Sequence, residues 1–214
     1  MIKNPSLNAL FGLLKVSGPD AQKLLQGQLT CDVTTISTER SSLGALCNPQ
    51  GRVISLFHLF FWQDAYYLFM PRQLIPITLK TLKKYALFYQ ATLVDASDDF
   101  VLIGYTGMPS ASVSDYLTIA ISATRHLLIM TPAVAAILDT HELSMNTVSA
   151  AQWHYLNIRD KLPLIYPETS GQFLPHELQL PALNAISFEK GCYTGQEIIA
   201  RMHYRGRLKT QLYS

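Results

Sequence analysis

One short run of residues combines the side chains that a reactive thiol needs. The run KGCYTGQE begins at Lys190, and its Cys192 stands between two glycines. Thr194 and Glu197 have the T-x-x-E spacing of a capping box, which predicts a helix capped by Thr194 and continuing to about Tyr204. A helix N-terminus and a nearby lysine both favour the thiolate form of cysteine. The run therefore predicts a reactive Cys192, and a half-buried structural cysteine at a tight turn is the alternative.

Motifs along most of the chain resemble those of one protein family. KGCYTGQE, extended by Ala200 and Arg201, is similar to the signature of YgfZ-type proteins. These are folate-binding relatives of the glycine cleavage T-protein, and they include mitochondrial factors that help to mature iron–sulfur proteins. Further blocks resemble the family in the same order: SGPDA from Ser17, LQGQLT from Leu25, CNPQGR from Cys47, KKY from Lys83 and SGQFLP from Ser170.

The resemblance implies an α+β fold with mostly antiparallel sheets and helices on one face. In the family, a discontinuous first domain, an inserted ferredoxin-like domain and a C-terminal barrel form a ring around a folate channel. Residues 1–45 and 140–214 would form the first domain, and residues 46–139 the inserted one. The barrel is expected to be missing, because the sequence given ends at Ser214. Apolar residues that would face the barrel are then expected to cause self-association, in line with a mean hydropathy of +0.15.

The resemblance also implies roles for the residues of the run. Cys192 would be the functional thiol, and Lys190 would favour its thiolate. Tyr193, Gln196 and Glu197 would position the loop and, with Lys190 and Arg201, contribute to the folate site. Arg201 would anchor an anion or a partner carboxylate. Basic residues occupy every second position from Arg201 onward: Arg201, His203, Arg205, Arg207 and Lys209. This alternation would meet an anionic partner, and the alternative is a solvated basic edge.

A second position for folate contact is expected near residue 160. Folate-binding relatives carry a glutamate against the pterin ring at or near Arg159. Asp160 is expected to take its place, since a carboxylate accepts two donors from the amino-pyrimidine edge. A solvated pair of Arg159 and Asp160 at a helix end is the alternative. His58 and His154 lie among apolar residues and are interpreted as residues at the edge of the core.

Residues Ser55 and Leu56 argue against one enzymatic activity. The resemblance implies an acidic pair here in the aminomethyl-transferring T-proteins, where an aspartate orients folate and the methylene-bearing amine. A hydroxyl and an alkyl group accept no proton at neutral pH. The chain is therefore expected to be a folate-binding auxiliary factor for the assembly or repair of iron–sulfur proteins, supporting tRNA modification indirectly. A tetrahydrofolate-dependent aminomethyltransferase and a pure interaction module are the alternatives.

Composition argues against several other classes of protein. Among 214 residues there are three cysteines without a C-x-x-C pair and six histidines without paired spacing, so neither a disulfide framework nor a metal centre is expected. A net charge of +2 gives no general case for direct nucleic-acid binding. No apolar run reaches the length of a membrane span, and no signal peptide is recognised. We expect a cytoplasmic protein whose partners are folate and iron–sulfur client or assembly proteins.

Hydrophobic periodicity predicts the elements that position these residues. Strands are predicted over residues 10–16, 43–47, 53–61, 65–70, 92–94, 100–105 and 125–130. Helices are predicted from residue 21, over residues 72–88, near 110–117 and 133–138, and through residue 158 from a cap at Asn146. The proline-containing stretch 162–181 is predicted to be an irregular connector.

Overall fold

The computed structural model describes residues 6–107, 116–137 and 146–205. Its strands are β1 (Phe11–Ser17), β2 (Ser42–Cys47), β3 (Val53–Trp62), β4 (Ala65–Pro71), β5 (Thr92–Asp95), β6 (Val101–Thr106), β7 (Leu117–Ser122), β8 (Arg125–Met130) and β9 (Thr147–Val148). Its α-helices are α1 (Ala21–Gln26), α2 (Ile75–Ala86), α3 (Pro132–Ile137), α4 (Ala150–Arg159) and α5 (Gln196–Arg205).

The strands form two antiparallel sheets. The first sheet has the order β2-β3-β4-β1-β5, and the second has the order β7-β8-β6-β9. In the first sheet Leu14 of β1 pairs with Leu68 of β4, which pairs in turn with Leu59 of β3. Strands β3 and β4 are almost continuously apolar because both of their faces are covered.

Side chains that alternate along the strands divide the apolar residues between two main cores. Leu14 and Val16 of β1 face a first core that also contains Leu24 of α1 and Leu82 of α2. Phe11 and Leu13, on the opposite face, belong to a second core between the two sheets. The second core contains Leu127 of β8 and Trp153 of α4. The first sheet is therefore the central layer of the molecule.

Most of the predicted elements are present, with three differences among the described residues. Residues 117–122 form strand β7, which was not predicted; most of the short helix predicted near residues 110–117 lies outside the described part of the chain. Asn146 is not the cap of α4. Ser149 is the N-cap, and it forms a capping box with Gln152 in which each side chain bonds the other residue's backbone. Thr147 and Val148, which follow Asn146, pair with β6 instead.

The predicted division of the chain between residues 45 and 46 falls inside β2. That strand pairs with β3 from Ser42 to Cys47, and the same sheet continues through β4 to β1. Strands from both sides of the predicted boundary thus share one hydrogen-bonded sheet. The pairing of β1 with β4 joins residues that are far apart in the chain, such as Phe11 and Pro71, so local sequence patterns did not indicate it.

Candidate functional site

The run KGCYTGQE forms a loop, here called the signature loop (residues 190–197), against the segment that follows α1. Thr194 donates its backbone N–H to the carbonyl of Gly27 and its hydroxyl to Gln28 Oε1 at 2.9 Å. Just before the loop, Ser187 donates its N–H to the carbonyl of Thr30 at 2.8 Å. The segment LQGQLT, one of the blocks that resemble the family, therefore holds the signature loop in place through these hydrogen bonds.

Two further blocks that resemble the family, CNPQGR and SGQFLP, lie in the same region of the structure. Gly195 packs against the turn between β2 and β3: a Cβ at Gly195 would lie 2.6 Å from the Asn48 carbonyl oxygen. Gly195 also has a φ of +85°, so the position requires glycine for two independent reasons. At the start of β3, Gly171 donates its N–H to the carbonyl of Val53 at 2.7 Å. The blocks LQGQLT and CNPQGR thus contact the loop directly, and the block SGQFLP is joined to β3 next to them.

Lys190 braces the loop from inside the protein. Its ammonium donates hydrogen bonds of 2.8 Å to the carbonyl oxygens of Leu29 and Cys31, and it lies 5.1 Å from the centroid of the Tyr193 ring. Lys190 is 8% exposed, and burial lowers its pKa to about 8 against the opposing effects of Cys31 and Asp32. Its hydrogen bonds go to the segment after α1, whereas the sequence predicted that it would act on Cys192.

The three cysteines occupy different environments. Cys192 is exposed, while Cys31 and Cys47 are buried. Burial raises the pKa of each buried thiol to about 12. Tyr193, beside Cys192 in sequence, is buried in the first core, and burial raises the pKa of its phenol. The loop therefore buries Lys190 and Tyr193 while it presents Cys192 to solvent.

The predicted capping box at Thr194 is wrong, although the helix itself is present. α5 begins at Gln196, and the hydroxyl of Thr194 bonds Gln28 instead of capping the helix. Glu197 in the first turn and Arg201 one turn later are both exposed. Their proposed contacts with folate or an anion stay predictions. Arg201, His203 and Arg205 are helical, and Arg207 and Lys209 lie outside the described residues.

A separate groove opens where the two sheets meet α4. Polar side chains on its wall are His58 of β3 and Asn157 of α4; the other lining residues are Phe11, Leu43, Leu56, Phe57, Phe69, Met70, Pro71, Ile121, Trp153, Leu162, Pro163 and Leu164. Its interior has a volume of about 20 Å³, room for roughly one water molecule. A larger ligand therefore requires the groove to widen.

The groove adjoins the segment of β3 that contains Ser55 and Leu56, the residues that the resemblance places at the acidic pair of the T-proteins. Leu56 lines the groove, whereas Ser55, on the other face of β3, is not among the lining residues and is fully buried. The side chain at the groove wall is therefore an alkyl group, which takes up no proton. His58, two residues along on the same face as Leu56, is the nearest titratable side chain of β3 on this wall.

A buried arginine behind the groove organises the end of α4. Arg125 Nη1 donates to Asn157 Oδ1 at 2.6 Å, and its guanidinium lies 4.5 Å from the Trp153 ring centroid. Arg125 Nη2 is 3.2 Å from Asp160 Oδ2, and Arg159 is paired with the other carboxylate oxygen at 2.9 Å. Burial lowers the pKa of Arg125 to about 10, which the charge of Asp160 opposes.

This arrangement changes the interpretation of Asp160. The sequence assigned its carboxylate to the pterin ring, with a solvated pair to Arg159 as the alternative. The pair to Arg159 is present, and a second, buried pair to Arg125 is added to it. Both oxygens lie within ion-pair distance of guanidinium groups, although Oδ2 forms no hydrogen bond among the described residues, and Asp160 is not one of the residues that line the groove. A pterin contact by Asp160 stays a prediction.

Comparison with known proteins identifies the family of the chain. The protein named tRNA-modifying protein YgfZ in Colwellia psychrerythraea is 35% identical over 223 residues, covering 95% of this chain and 68% of the relative. Its namesake in Klebsiella pneumoniae is 36% identical over 225 residues, with the same two coverages. The chain belongs to the YgfZ family. No protein-family model matches it.

A solved structure supports the fold of this YgfZ-family chain. The glycine cleavage system aminomethyltransferase T from Bartonella henselae superposes with a TM-score of 0.68 at 16% identity. The match covers 92% of this chain and 62% of that protein, so the chain spans less than two thirds of the enzyme. At this identity the similarity shows a shared fold and not a shared activity.

The sequence analysis did not identify Arg125, which lies next to the groove. Arg125 is the first residue of a strand that is apolar after His126, and a charge in that position is a signal for a buried ion pair, but its partner Asp160, at the end of α4, is distant in sequence. Across residues 6–107, 116–137 and 146–205, no three His, Cys, Asp or Glu side chains are grouped to hold a metal ion. In the same residues no helix has both the length and the apolar character to cross a membrane.

Proposed function

We propose that this chain is a folate-binding auxiliary factor that supports the assembly or repair of iron–sulfur proteins, and through them tRNA modification. The observation that carries the proposal is the exposure of Cys192 on a loop held in place by the buried ammonium of Lys190. A thiol presented in this way is accessible to a macromolecular client. The name of the relatives, tRNA-modifying protein YgfZ, fits this role.

The groove is the proposed position of the folate ring system. Its walls combine aromatic and aliphatic side chains with two polar ones, which is the usual composition of a small-molecule site. His58 and Asn157 each have a buried nitrogen without a partner among the described residues, so a ligand there would satisfy groups that are now unpaired. Folate would supply one-carbon chemistry when bound; the residues of this chain would bind and orient it.

The alternative activity, aminomethyl transfer, is disfavoured by Leu56 at the groove wall. Transfer needs a group that stabilises a cationic intermediate or moves a proton, and an alkyl side chain does neither. The purified protein should release no ammonia from an aminomethyl donor in the presence of tetrahydrofolate. Turnover that depends on both substrates would overturn the assignment as a non-transferase.

Calorimetric titration with 5-formyltetrahydrofolate tests the binding part of the proposal. We expect saturable binding by the wild-type protein and unchanged binding by Cys192→Ser, because the groove is lined by residues outside the signature loop. A matched control is Cys192→Ala, which removes the side-chain hydrogen-bonding group as well. If the wild-type protein binds no reduced folate, folate binding is excluded and the chain acts as an interaction module.

A further inference from the structure

The groove wall carries two polar nitrogens that the protein itself does not satisfy. His58 is 9% exposed and Asn157 is 3% exposed, and both line the groove. His58 Nε2 and Asn157 Nδ2 are buried and have no hydrogen-bond partner among the described residues. Because an unpaired buried polar group costs free energy, such a pair marks a place where a ligand atom or a water completes the site.

Arg125 fixes which end of the Asn157 amide is free. Its guanidinium donates to Asn157 Oδ1 at 2.6 Å, and a guanidinium has only donors. Turning the amide around would place the NH₂ group against those donors, so the oxygen must face Arg125. The free end of Asn157 is therefore the Nδ2 donor, whatever occupies the groove.

Two ionisable residues, His58 and Asp160, also affect the polarity of this end of the groove. Burial, and secondarily the charge of Arg125, lower the pKa of His58 to about 4, so His58 is neutral at physiological pH and can donate from Nε2 in the corresponding tautomer. The carboxylate of Asp160, the acceptor that the sequence predicted, is paired with Arg125 and Arg159. The polar end of the groove thus offers the Asn157 Nδ2 donor beside a buried positive charge, and neutral His58 adds a second donor in its Nε2–H tautomer.

We propose that this end of the groove binds an acceptor edge of its ligand, a keto or carboxylate oxygen on a flat heteroaromatic ring, and rejects an amino group in that place. The inference rests on the proposed folate site and specifies which edge of the ring is bound. The sequence predicted the opposite polarity, with Asp160 accepting from the amino-pyrimidine edge. Asn157 is the residue that determines the choice, and His58 supports it.

A matched pair of ligands tests the polarity directly. Folic acid carries an oxygen at ring position 4, and its 4-amino analogue, aminopterin, carries an amino group there. We expect wild-type protein to bind folic acid at least about tenfold more tightly in calorimetric titration, the equivalent of one hydrogen bond of about 1.4 kcal/mol. Equal affinities, or tighter binding of the analogue, would overturn the inference and leave folate binding intact. Absence of binding by both would overturn the proposed function and the inference with it.

A substitution that exchanges the donor for an acceptor gives a second test. Asn157→Asp keeps an oxygen toward Arg125 and places an acceptor at the free end, so the preference for folic acid should fall at least about tenfold or reverse. Asn184→Asp adds the same charge at an exposed position and should leave the preference unchanged. If Asn157→Asp retains the wild-type preference, Asn157 does not set the polarity. Should this variant fail to fold, the comparison of the two ligands with wild-type protein still decides.

Discussion

The buried ammonium of Lys190 donates a 2.8 Å hydrogen bond to the carbonyl oxygen of Cys31. A second bond of the same length reaches the carbonyl of Leu29, so one side chain joins the signature loop to the segment after α1. The lysine thereby acts on the position of the loop, while the thiol two residues later in sequence remains exposed. Lys190 is therefore a structural brace for the site.

Replacement of Lys190 tests this role. Lys190→Met keeps the apolar stem but leaves the carbonyls of Leu29 and Cys31 without their donor, so the free energy of unfolding should fall by about 1–3 kcal/mol. Urea denaturation measures the change. Lys83→Met, on the exposed face of α2, is the matched control and should leave stability nearly unchanged. Equal stability of the two variants would show that Lys190 does not brace the loop.

The lowered pKa of Lys190 predicts a pH dependence with a definite sign. The pKa falls from 10.5 to about 8 on burial, so between these values the unfolded chain holds a proton that the folded chain has lost. Stability contributed by this group therefore rises as the pH increases through that window. Relative to Lys190→Met, wild-type protein should gain free energy of unfolding between about pH 8 and pH 10.5. A flat or falling difference would contradict the assignment.

The cysteines should differ strongly in reactivity. Cys192 is exposed, whereas burial raises the pKa of Cys31 and Cys47 to about 12, which leaves almost no thiolate at neutral pH. Iodoacetamide should modify Cys192 alone in the native protein and all three cysteines after denaturation. Mass spectrometry of the digested protein identifies which cysteines are modified. Rapid native modification of Cys31 or Cys47 would mean that the first core is open around them.

Arg125, which packs against Trp153 of the second core, should be one of the positions most sensitive to substitution. Arg125→Met removes the cation that pairs with Asp160 and orients Asn157, and loss of one partner of a buried pair typically costs about 3–5 kcal/mol. Arg159→Met removes the half-exposed partner of the same carboxylate and should cost much less. Thermal unfolding of both variants compares the two pairs. Similar losses of stability in the two variants would show that the buried ion pair contributes no more than the half-exposed one.

Local patterns were sufficient for much of the fold. The apolar runs of β3 and β4, separated by the turn at Gln63 and Asp64, defined both strands to within a residue. The S-x-x-Q capping box at Ser149 was also readable in the sequence, yet Asn146 was preferred as the cap. Strand β7 was missed, although residues 117–122 alternate between apolar and polar types as an edge strand does.

The site was less predictable because its geometry depends on distant residues. The direction of the Lys190 side chain is set by carbonyls of residues 29 and 31, and spacing within an irregular loop gives no such direction. Likewise, the availability of Asp160, at the end of α4, depends on Arg125, which reaches it from strand β8. The sequence places Cys192 between two glycines, and the structure shows this residue exposed; its function stays a proposal.

The most direct test of the central claim measures tRNA modification in cells. In a bacterial strain that lacks its own YgfZ-family protein, the level of a modification made by an iron–sulfur enzyme is measured in tRNA by mass spectrometry after expression of this chain. We predict that wild-type protein and an exposed control, Glu39→Gln, restore the modification, and that Cys192→Ser does not, although it accumulates to the same level and binds folate. Full restoration by Cys192→Ser would contradict the assignment of Cys192 as the functional thiol.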